Sequence, residues 1–211
     1  MNGSIEIKIS KSNHPIPVVS SIHLHSIYNP VKEAEAFARS CEKKLKASSR
    51  ILIFGLGFGY HVQAIEKRLQ ALYGVNYEVS VIEPNKELIT LWKEYRQVTT
   101  SSRVRIVGHS DPQRFYEDEL LTDFLVSKPS IISHTASFQL NESFYKDFMS
   151  FSYPKDTTSS SRFVSNEGLR KELLEAKQPS TTDYINANEA KKDLKKWDFF
   201  SLALKQFSKQ D

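Results

Sequence analysis

Hydrophobic residues form an alternating series of short runs and helical stripes through the middle of the chain. The continuous apolar run at 51–54 predicts a strand that is buried on both faces. Across 62–72, apolar residues recur every three or four positions, which predicts an amphipathic helix. Two further strands are predicted at 77–82 and 103–107, with a helix at about 86–96 between them. This order of elements predicts a βαβαβ unit with a parallel sheet and right-handed crossovers.

The residues before this unit predict a small β extension followed by one helix. Residues 5–10 alternate between apolar and polar positions, and residues 18–24 form a second candidate strand after a break at two prolines. The two strands are expected to form a hairpin or a lid ahead of the main sheet. Asn29 is suited to cap the following helix, and Pro30 fits its first position, where no amide donor is needed.

The pattern is weaker after the third strand of the unit. The elements predicted there are short strands at 124–126 and 131–132, a helix at 141–149, and amphipathic helices at about 168–176 and 187–208. A polar, serine-rich stretch separates the last two helices from the rest, and its composition is typical of a linker or mobile loop.

The predicted fold class is α/β, with a three-layer Rossmann-like arrangement around a mostly parallel sheet. A small N-terminal β extension and a helical C-terminal tail complete it. The predicted parts are the β extension at 1–30, the Rossmann-like ligand-binding domain at 31–153, the serine-rich linker or loop at 154–167, and the helical C-terminal segment at 168–211.

The composition indicates the class of protein and its cellular location, but it says little about function. Hydrophobic residues make up 39% of the 211 residues and charged residues 26%, which is typical of a globular protein. The net charge of +4 is spread along the helices rather than gathered in one block, so nucleic-acid binding is not expected. Cys41 is the single cysteine, and no signal peptide or membrane-spanning run is visible, so we expect a cytoplasmic location.

A glycine triplet follows the buried strand directly. Gly55, Gly57 and Gly59 are spaced G-x-G-x-G at a turn from strand to helix. The first glycine of such a turn permits a tight bend, the second leaves room for a ligand, and the third lets strand and helix pack closely. The unpaired amides at the start of the helix lie at its positive end, so they are suited to a phosphate or carboxylate.

Two acids follow later strands of the same unit. Glu83 ends the second strand, where a carboxylate can reach the hydroxyls of a ribose. Asp111 follows the third strand, where it could contact a nucleobase edge or equally cap the helix before Pro112. The predicted cofactor-binding residues are Gly55, Gly57, Phe58, Gly59, Tyr60, His61, Glu83, Pro84 and Asp111.

The remaining candidates for binding or catalysis are histidines. His61 stands beside the glycine turn, where its ring could meet an anion, although a surface histidine is an equally good interpretation. His109 and His134 follow strand ends, so His61, His109 and His134 are the candidates for acid–base catalysis. His23 and His25 would share one face of a strand, but the sequence shows no further ligands beside them, so no metal site is predicted.

The same residues resemble two known families. The glycine turn and Glu83 resemble class I S-adenosylmethionine methyltransferases, although Ile53 stands where that family commonly has an acid. The stretches 25–35, 54–61 and 82–84, with 128–146, are more similar to the motility-associated factor (Maf) glycosyltransferases of flagellin and to archaeal pterin pyrophosphokinase-like domains. This resemblance implies a methyltransferase-like Rossmann domain that handles a nucleotide-activated sugar.

Three functions therefore stand as hypotheses. The first is a transferase domain that binds a nucleotide or nucleotide-sugar and serves a protein or glycan acceptor. Under it, the segment before the first helix would face the sugar through Ser26, Tyr28, Asn29 and Glu33. The second is methyl transfer from S-adenosylmethionine, held by the same loop. The third is a non-catalytic scaffold or binding protein that retains the fold.

Overall fold

The computed structural model describes residues 4–95, 100–152, 154–164, 167–177 and 180–189. The chain divides into two compact units, residues 1–149 and residues 150–211. The first unit contains both β-sheets, and the described part of the second unit is helical.

The first unit begins with a three-stranded antiparallel sheet. Its strands are β1 (Ile5–Ile9), β2 (Pro15–Val19) and β3 (Ile22–His23), in the order β1-β2-β3. The single strand predicted at 18–24 is wrong, because Ser20 and Ser21 have positive φ and turn the chain there. The prolines of β2 do not break it, since the Pro17 carbonyl faces the short β3 and accepts from Leu24 N at 3.0 Å. A proline has no N–H group to donate, and in β2 these absent donors fall on the side of β3, where few hydrogen bonds between strands form.

Two helices follow, α1 (Pro30–Ser40) and α2 (Glu42–Ala47). The predicted cap is confirmed, because Asn29 Oδ1 accepts a hydrogen bond from Lys32 N at 2.9 Å and Pro30 occupies the first position. Helix α1 buries Ala34 and Ala38, and this small-residue face packs against the helix that follows the glycine turn.

The second sheet is a four-stranded parallel sheet, which confirms the predicted strand–helix alternation. Its elements are β4 (Arg50–Phe54), α3 (Tyr60–Tyr73), β5 (Glu78–Glu83), α4 (Lys86–Glu94), β6 (Val104–Gly108), a 3₁₀ turn (Pro112–Glu117), α5 (Glu119–Val126), β7 (Ser130–Ser133), α6 (Thr135–Leu140) and α7 (Glu142–Met149). The strand order is β6-β5-β4-β7, with Phe54 paired to both Ile82 and Ser133. The architecture is α/β and compatible with a Rossmann-like fold.

The order of the strands creates a switch point between β4 and β7. From β4 the chain moves outward through β5 to β6, and it then returns to place β7 on the opposite side of β4. Loops that leave neighbouring strands in opposite directions open a crevice at the carboxyl ends of those strands, where open α/β sheets bind ligands.

The sheet is covered by helices on both faces, as the continuous apolar run of β4 predicted. Ile51 and Ile53 face one hydrophobic cluster together with α1 and α3. Leu52 and Phe54 face the other cluster, which includes Phe124 and the aromatic residues of α7. Because successive side chains of a strand point to opposite faces, a strand between two helical layers is apolar at every position.

One predicted strand of this unit is wrong. Residues 124–126 form the end of α5 rather than a strand, because Leu121 and Phe124 are one helical turn apart and are both buried. Asp118 caps this helix by accepting a hydrogen bond from Leu121 N at 3.1 Å. The strand predicted at 131–132 is confirmed within β7, and the helix predicted at 141–149 is confirmed as α7.

The described part of the second unit consists of α8 (Thr157–Ser160), a 3₁₀ turn (Ser161–Phe163), α9 (Glu167–Leu174) and α10 (Thr181–Glu189). Residues 157–163 of the serine-rich stretch are helical rather than the loop that its composition predicted, and Asp156 caps α8 by accepting from Ser159 N at 2.7 Å. Helix α9 confirms the helix predicted at 168–176. Most of the helix predicted at 187–208 lies outside the described residues, including Leu194, Trp197, Phe200, Leu202, Leu204 and Phe207.

Within the described ranges, no helix is both long enough and apolar enough to span a bilayer.

Helix α3 offers a matched pair of leucines that tests the packing against the sheet. Leu69 is fully buried, whereas Leu72 is 43% exposed. Leu69→Ala is expected to lower the free energy of unfolding by roughly 2–5 kcal/mol because it leaves a cavity. Leu72→Ala is expected to change it by no more than about 0.5 kcal/mol. Urea unfolding of the two variants measures the difference, and equal losses would contradict this placement of α3.

Candidate functional site

The glycine turn connects β4 to α3 through three residues in the left-handed region. The φ angles of Gly55, Gly57 and Gly59 are 94°, 50° and 77°. A side chain at any of these positions would be strained, which explains why the turn uses glycine. The sequence therefore predicted this backbone correctly.

The space above the glycines holds side chains of the same chain. A Cβ atom on Gly57 would collide with the imidazole ring of His25, and a Cβ atom on Gly55 would collide with Ser137. The sequence interpretation had assigned the room at Gly57 to a ligand. In this structure His25 uses that room.

The amides of the turn also have partners within the chain. Phe58 N donates to His25 Nε2 at 2.8 Å, and Leu56 N donates to Glu83 Oε2 at 2.9 Å. The other carboxylate oxygen, Glu83 Oε1, accepts from Asn85 N at 3.0 Å. Glu83 thus lies beside the turn as predicted, immediately before Pro84, but its two oxygens hold backbone amides and its residue is only 1% exposed.

Burial controls the ionisation of Glu83. It raises the pKa of this carboxyl to about 7, because removal from water penalises the charged form more than the two amide hydrogen bonds favour it. The buried Tyr145 ring lies close to this carboxyl, and its own pKa is raised by burial and by the Glu83 charge. Glu83 therefore changes charge near neutral pH.

Tyr60 connects the turn to the N-terminal sheet through a hydrogen bond. Its hydroxyl donates to the Pro15 carbonyl at 2.9 Å, and burial raises the pKa of Tyr60 to about 12. The Tyr60 ring packs edge-on against His25, with ring centroids 5.0 Å apart. The first residue of α3 thus positions the segment that carries His25.

Three buried histidines meet beside the turn. His25 follows the end of β3, His61 lies in the first turn of α3, and His134 follows β7. The rings of His61 and His134 are stacked, with centroids 4.0 Å apart and planes 4° from parallel. The His25 ring lies 5.1 Å from that of His134 and 5.7 Å from that of His61. We call His25, His61 and His134 the histidine cluster.

Each ring of the histidine cluster has one nitrogen held by a neighbour. His61 Nε2 donates to the Gly55 carbonyl at 2.9 Å, and His134 Nδ1 lies 2.8 Å from Ser137 Oγ. His134 is itself placed by its backbone amide, which donates to the Phe54 carbonyl at 2.9 Å and so extends the pairing of β7 with β4. The backbone of the sheet edge therefore fixes two of the three rings.

All three rings are neutral at ordinary pH. Burial lowers the pKa of His61 to about 4. Burial, and to a smaller extent the neighbouring rings, holds the pKa values of His25 and His134 well below the usual range. A neutral imidazole that donates through one nitrogen has a lone pair on the other.

The histidine cluster lines a cavity of about 520 Å³ near the carboxyl ends of β4 and β7. This volume is in the range of small-molecule sites. Its lining residues come from the end of β3, the segment before α1, α1, the start of α3, the residue after β7 and α6: His23, Leu24, His25, Ser26, Ile27, Tyr28, Glu33, Ala34, Phe37, His61, His134, Thr135, Ala136 and Gln139. Three of the four residues expected to face a substrate, Ser26, Tyr28 and Glu33, are among them.

The other predicted site residues lie elsewhere. Asn29 caps α1, and Asp111 accepts from Gln113 N at 2.9 Å, which is the capping alternative that the sequence left open. The His109 ring packs against Phe115, with centroids 5.3 Å apart, and is not among the lining residues of the cavity. The structure thus separates His109 from His61 and His134.

The sequence interpretation missed His25, Ser137, Phe37 and Gln139 as site residues. His25 was considered only beside His23, but the two do not share a strand face, since His23 ends β3 in an exposed position and His25 is buried beyond it. The partners of His25 come from distant parts of the chain, so spacing alone could not identify them.

No protein-family model matches the chain, and no curated protein sequence matches it.

Gly57 and Gly74 form a matched pair that tests the contact with His25. Both have positive φ, but a Cβ on Gly74 would meet nothing within 4 Å. Gly74→Ala is expected to cost about 1–3 kcal/mol of unfolding free energy through backbone strain, since its φ of 61° and ψ of −116° suit glycine. Gly57→Ala is expected to cost more, because the His25 ring must also move. Chemical unfolding measures both, and an equal loss would show that the ring does not depend on Gly57.

The pH dependence of stability tests the burial of Glu83. Its folded pKa of about 7 exceeds the ordinary value of 4.5, so its favourable contribution is complete below about pH 4.5 and is lost as pH rises through 7. The loss is on the order of 3 kcal/mol if the whole shift appears in stability. Relative to Glu83→Gln, the wild-type chain is therefore expected to lose stability between about pH 5 and pH 8.

The measurement is urea unfolding of both proteins across that range. The difference between the two curves is the informative quantity, because both proteins contain the buried neutral histidines. The stability that depends on these histidines is lost in the opposite direction, as pH falls. A difference that does not change with pH would contradict the raised pKa.

Proposed function

We propose that the first unit is a transferase-type domain that binds a nucleotide or nucleotide-sugar at the carboxyl edge of its parallel sheet. The observation that carries this proposal is the cavity of about 520 Å³ beside the β4–β7 switch point. Its position fits the general rule for ligand sites of open α/β sheets, and its size fits a small organic molecule.

The lining of the cavity is suited to a sugar or nucleoside. It offers a carboxylate from Glu33, an amide from Gln139 and a hydroxyl from Thr135, which are groups that pair with sugar hydroxyls. Phe37 and Tyr28 supply aromatic surface for the apolar face of a ring. Among the lining residues that the structure describes, there is no lysine or arginine. The cavity itself is therefore suited to the uncharged part of the ligand.

A phosphate of the same ligand would lie toward the glycine turn. Phe58 N is at present bonded to His25, so a phosphate could take this amide only if the ring moves aside. Exchange of a neutral N–H···N bond for a charged N–H···O bond is favourable, because hydrogen bonds to ionised acceptors are roughly twice as strong. Binding of the phosphate and displacement of His25 would then be coupled.

We also propose the fold variant, the cellular setting and the acceptor that the sequence led us to expect. The domain is proposed to be Rossmann-like in the methyltransferase-like variant, with the antiparallel sheet as its N-terminal extension and the helices after 150 as a C-terminal tail. The setting is proposed to be cytoplasmic, with a protein or a glycan as the acceptor. His61 and His134 are the catalytic candidates, since both line the cavity and lie beside the turn that would hold the leaving nucleotide.

A thermal-shift screen tests the class of ligand. CMP, UDP, GDP, pterin and S-adenosylhomocysteine are added separately to the full chain. A ligand present at 100 times its dissociation constant stabilises the folded state by about 2.7 kcal/mol. At roughly 2–4 °C per kcal/mol for a protein of this size, the midpoint is expected to rise by several degrees with a nucleotide. A rise with S-adenosylhomocysteine alone would favour methyl transfer, and no rise with any compound would favour a non-catalytic scaffold.

Two tryptophan variants localise the binding. Thr135 lies on the exposed side of the cavity, so Thr135→Trp is expected to obstruct it and remove the thermal shift. Thr90→Trp is the matched control, because Thr90 is also an exposed helical threonine but lies on α4, outside the cavity lining. If both variants keep the shift, the ligand does not enter this cavity, and the proposed site is wrong.

A further inference from the structure

We infer that the histidine cluster is a binding site for a divalent transition-metal ion of the Zn²⁺ class, with a coordination position open to the cavity. One nitrogen from each of His25, His61 and His134 lies within 4.8 Å of the others. The sequence interpretation predicted no metal site, because the three residues belong to separate elements. The inference does not depend on which organic ligand the cavity takes.

The strongest single observation is the Nδ1 atom of His61. It is buried and has no hydrogen-bond partner among the described residues, while Nε2 of the same ring donates to the Gly55 carbonyl. The Nδ1 atom therefore carries a lone pair that nothing in the described part of the chain uses. A buried acceptor without a partner is costly, and a bound cation would satisfy it.

His134 shows the same division between a held donor nitrogen and a remaining lone pair, whereas the lone pair of His25 already accepts a hydrogen bond. When His134 Nδ1 donates to Ser137 Oγ, its lone pair is on Nε2. His25 Nε2 is an acceptor for Phe58 N, so its proton is on Nδ1, which lies 4.0 Å from the Glu33 carboxylate. Metal-binding histidines in proteins usually direct their second nitrogen to a carbonyl, a hydroxyl or a carboxylate, and His61 and His134 do so through the Gly55 carbonyl and Ser137 Oγ.

The donor set specifies the class of ion. Three neutral imidazoles suit zinc and its neighbours, whereas magnesium and calcium prefer oxygen ligands. Zinc–nitrogen bonds of about 2.0–2.1 Å require nitrogens about 3.4 Å apart, so the nitrogens would close in by roughly an ångström. An imidazole binds an ion in the plane of its ring, so the stacked rings of His61 and His134 would also rotate out of their parallel arrangement on binding. His25 would exchange its hydrogen bond with Phe58 N for the bond to the ion.

Three protein ligands leave a tetrahedral ion with one free position. The cavity lies on that side of the histidine cluster, since all three rings line it. A water molecule or an oxygen of the cavity's ligand would take the fourth position. This is the arrangement of catalytic rather than structural zinc sites.

The test uses the full chain, prepared without a polyhistidine tag. Titration with Co²⁺ is expected to produce the visible bands of tetrahedral cobalt up to one equivalent, and Zn²⁺ is expected to displace them. X-ray absorption of the one-equivalent zinc form is expected to show three imidazole nitrogens at about 2.0 Å. The absence of stoichiometric binding, fewer than three imidazoles, or a sulfur ligand from Cys41 would each overturn the inference.

Two phenylalanine variants assign the site. His61→Phe keeps a ring in the same packing but removes the free Nδ1 atom, so a tenfold or greater loss of cobalt affinity is expected. His109→Phe makes the same change outside the cavity and is expected to leave the affinity unchanged. Unchanged affinity in a folded His61→Phe protein would overturn the site. The X-ray absorption measurement on the wild-type chain decides the question even if that variant does not fold.

Discussion

The hydrogen bond from Phe58 N to His25 is the contact on which the site depends. It can form only because Gly57 leaves room for the imidazole, and it draws the segment between the antiparallel sheet and α1 onto the turn after β4. Tyr60 strengthens the same connection through its bond to the Pro15 carbonyl. The N-terminal residues consequently form one wall of the cavity. Without this contact, the room beside Gly57 would be open to a ligand, as the sequence interpretation assumed.

A second contact within the chain places an acid against the amides of the turn. Amides at the start of a helix attract anions, and Glu83 places its own carboxylate on Leu56 N. Full burial makes this charge expensive, so Glu83 takes up a proton near neutral pH. One amide of the turn is thus held by a carboxylate of variable charge, and another by a neutral imidazole. An incoming anion competes with Glu83 for the same positive end of α3, and it competes more easily when that carboxyl is protonated.

The backbone of the main sheet could be predicted from sequence because its signals are local. A short apolar run, a glycine turn and a helical stripe each need only neighbouring residues, and β4, α3 and β5 were found within one or two positions of their predicted ends. Residues 124–126 were misassigned because an apolar run of that length fits a strand or the end of a buried helix equally well. The histidine cluster could not be predicted, since it is created by the pairing of β7 beside β4 and by the packing of His25 on Gly57. Neither contact leaves a periodic signal.

The histidine cluster is a poor solution to packing alone. Three apolar side chains would fill the same space without buried nitrogens, whereas His61 leaves one nitrogen unsatisfied among the described residues. The rings are nevertheless oriented individually, by the Gly55 carbonyl, by Ser137 and by the Phe58 amide. In His61 the bond to the Gly55 carbonyl fixes the proton on Nε2 and leaves the lone pair on Nδ1, where an ion could bind. The proposed ion would offset this local cost in stability, and the position of the rings beside the switch point of the sheet would place it next to the cavity.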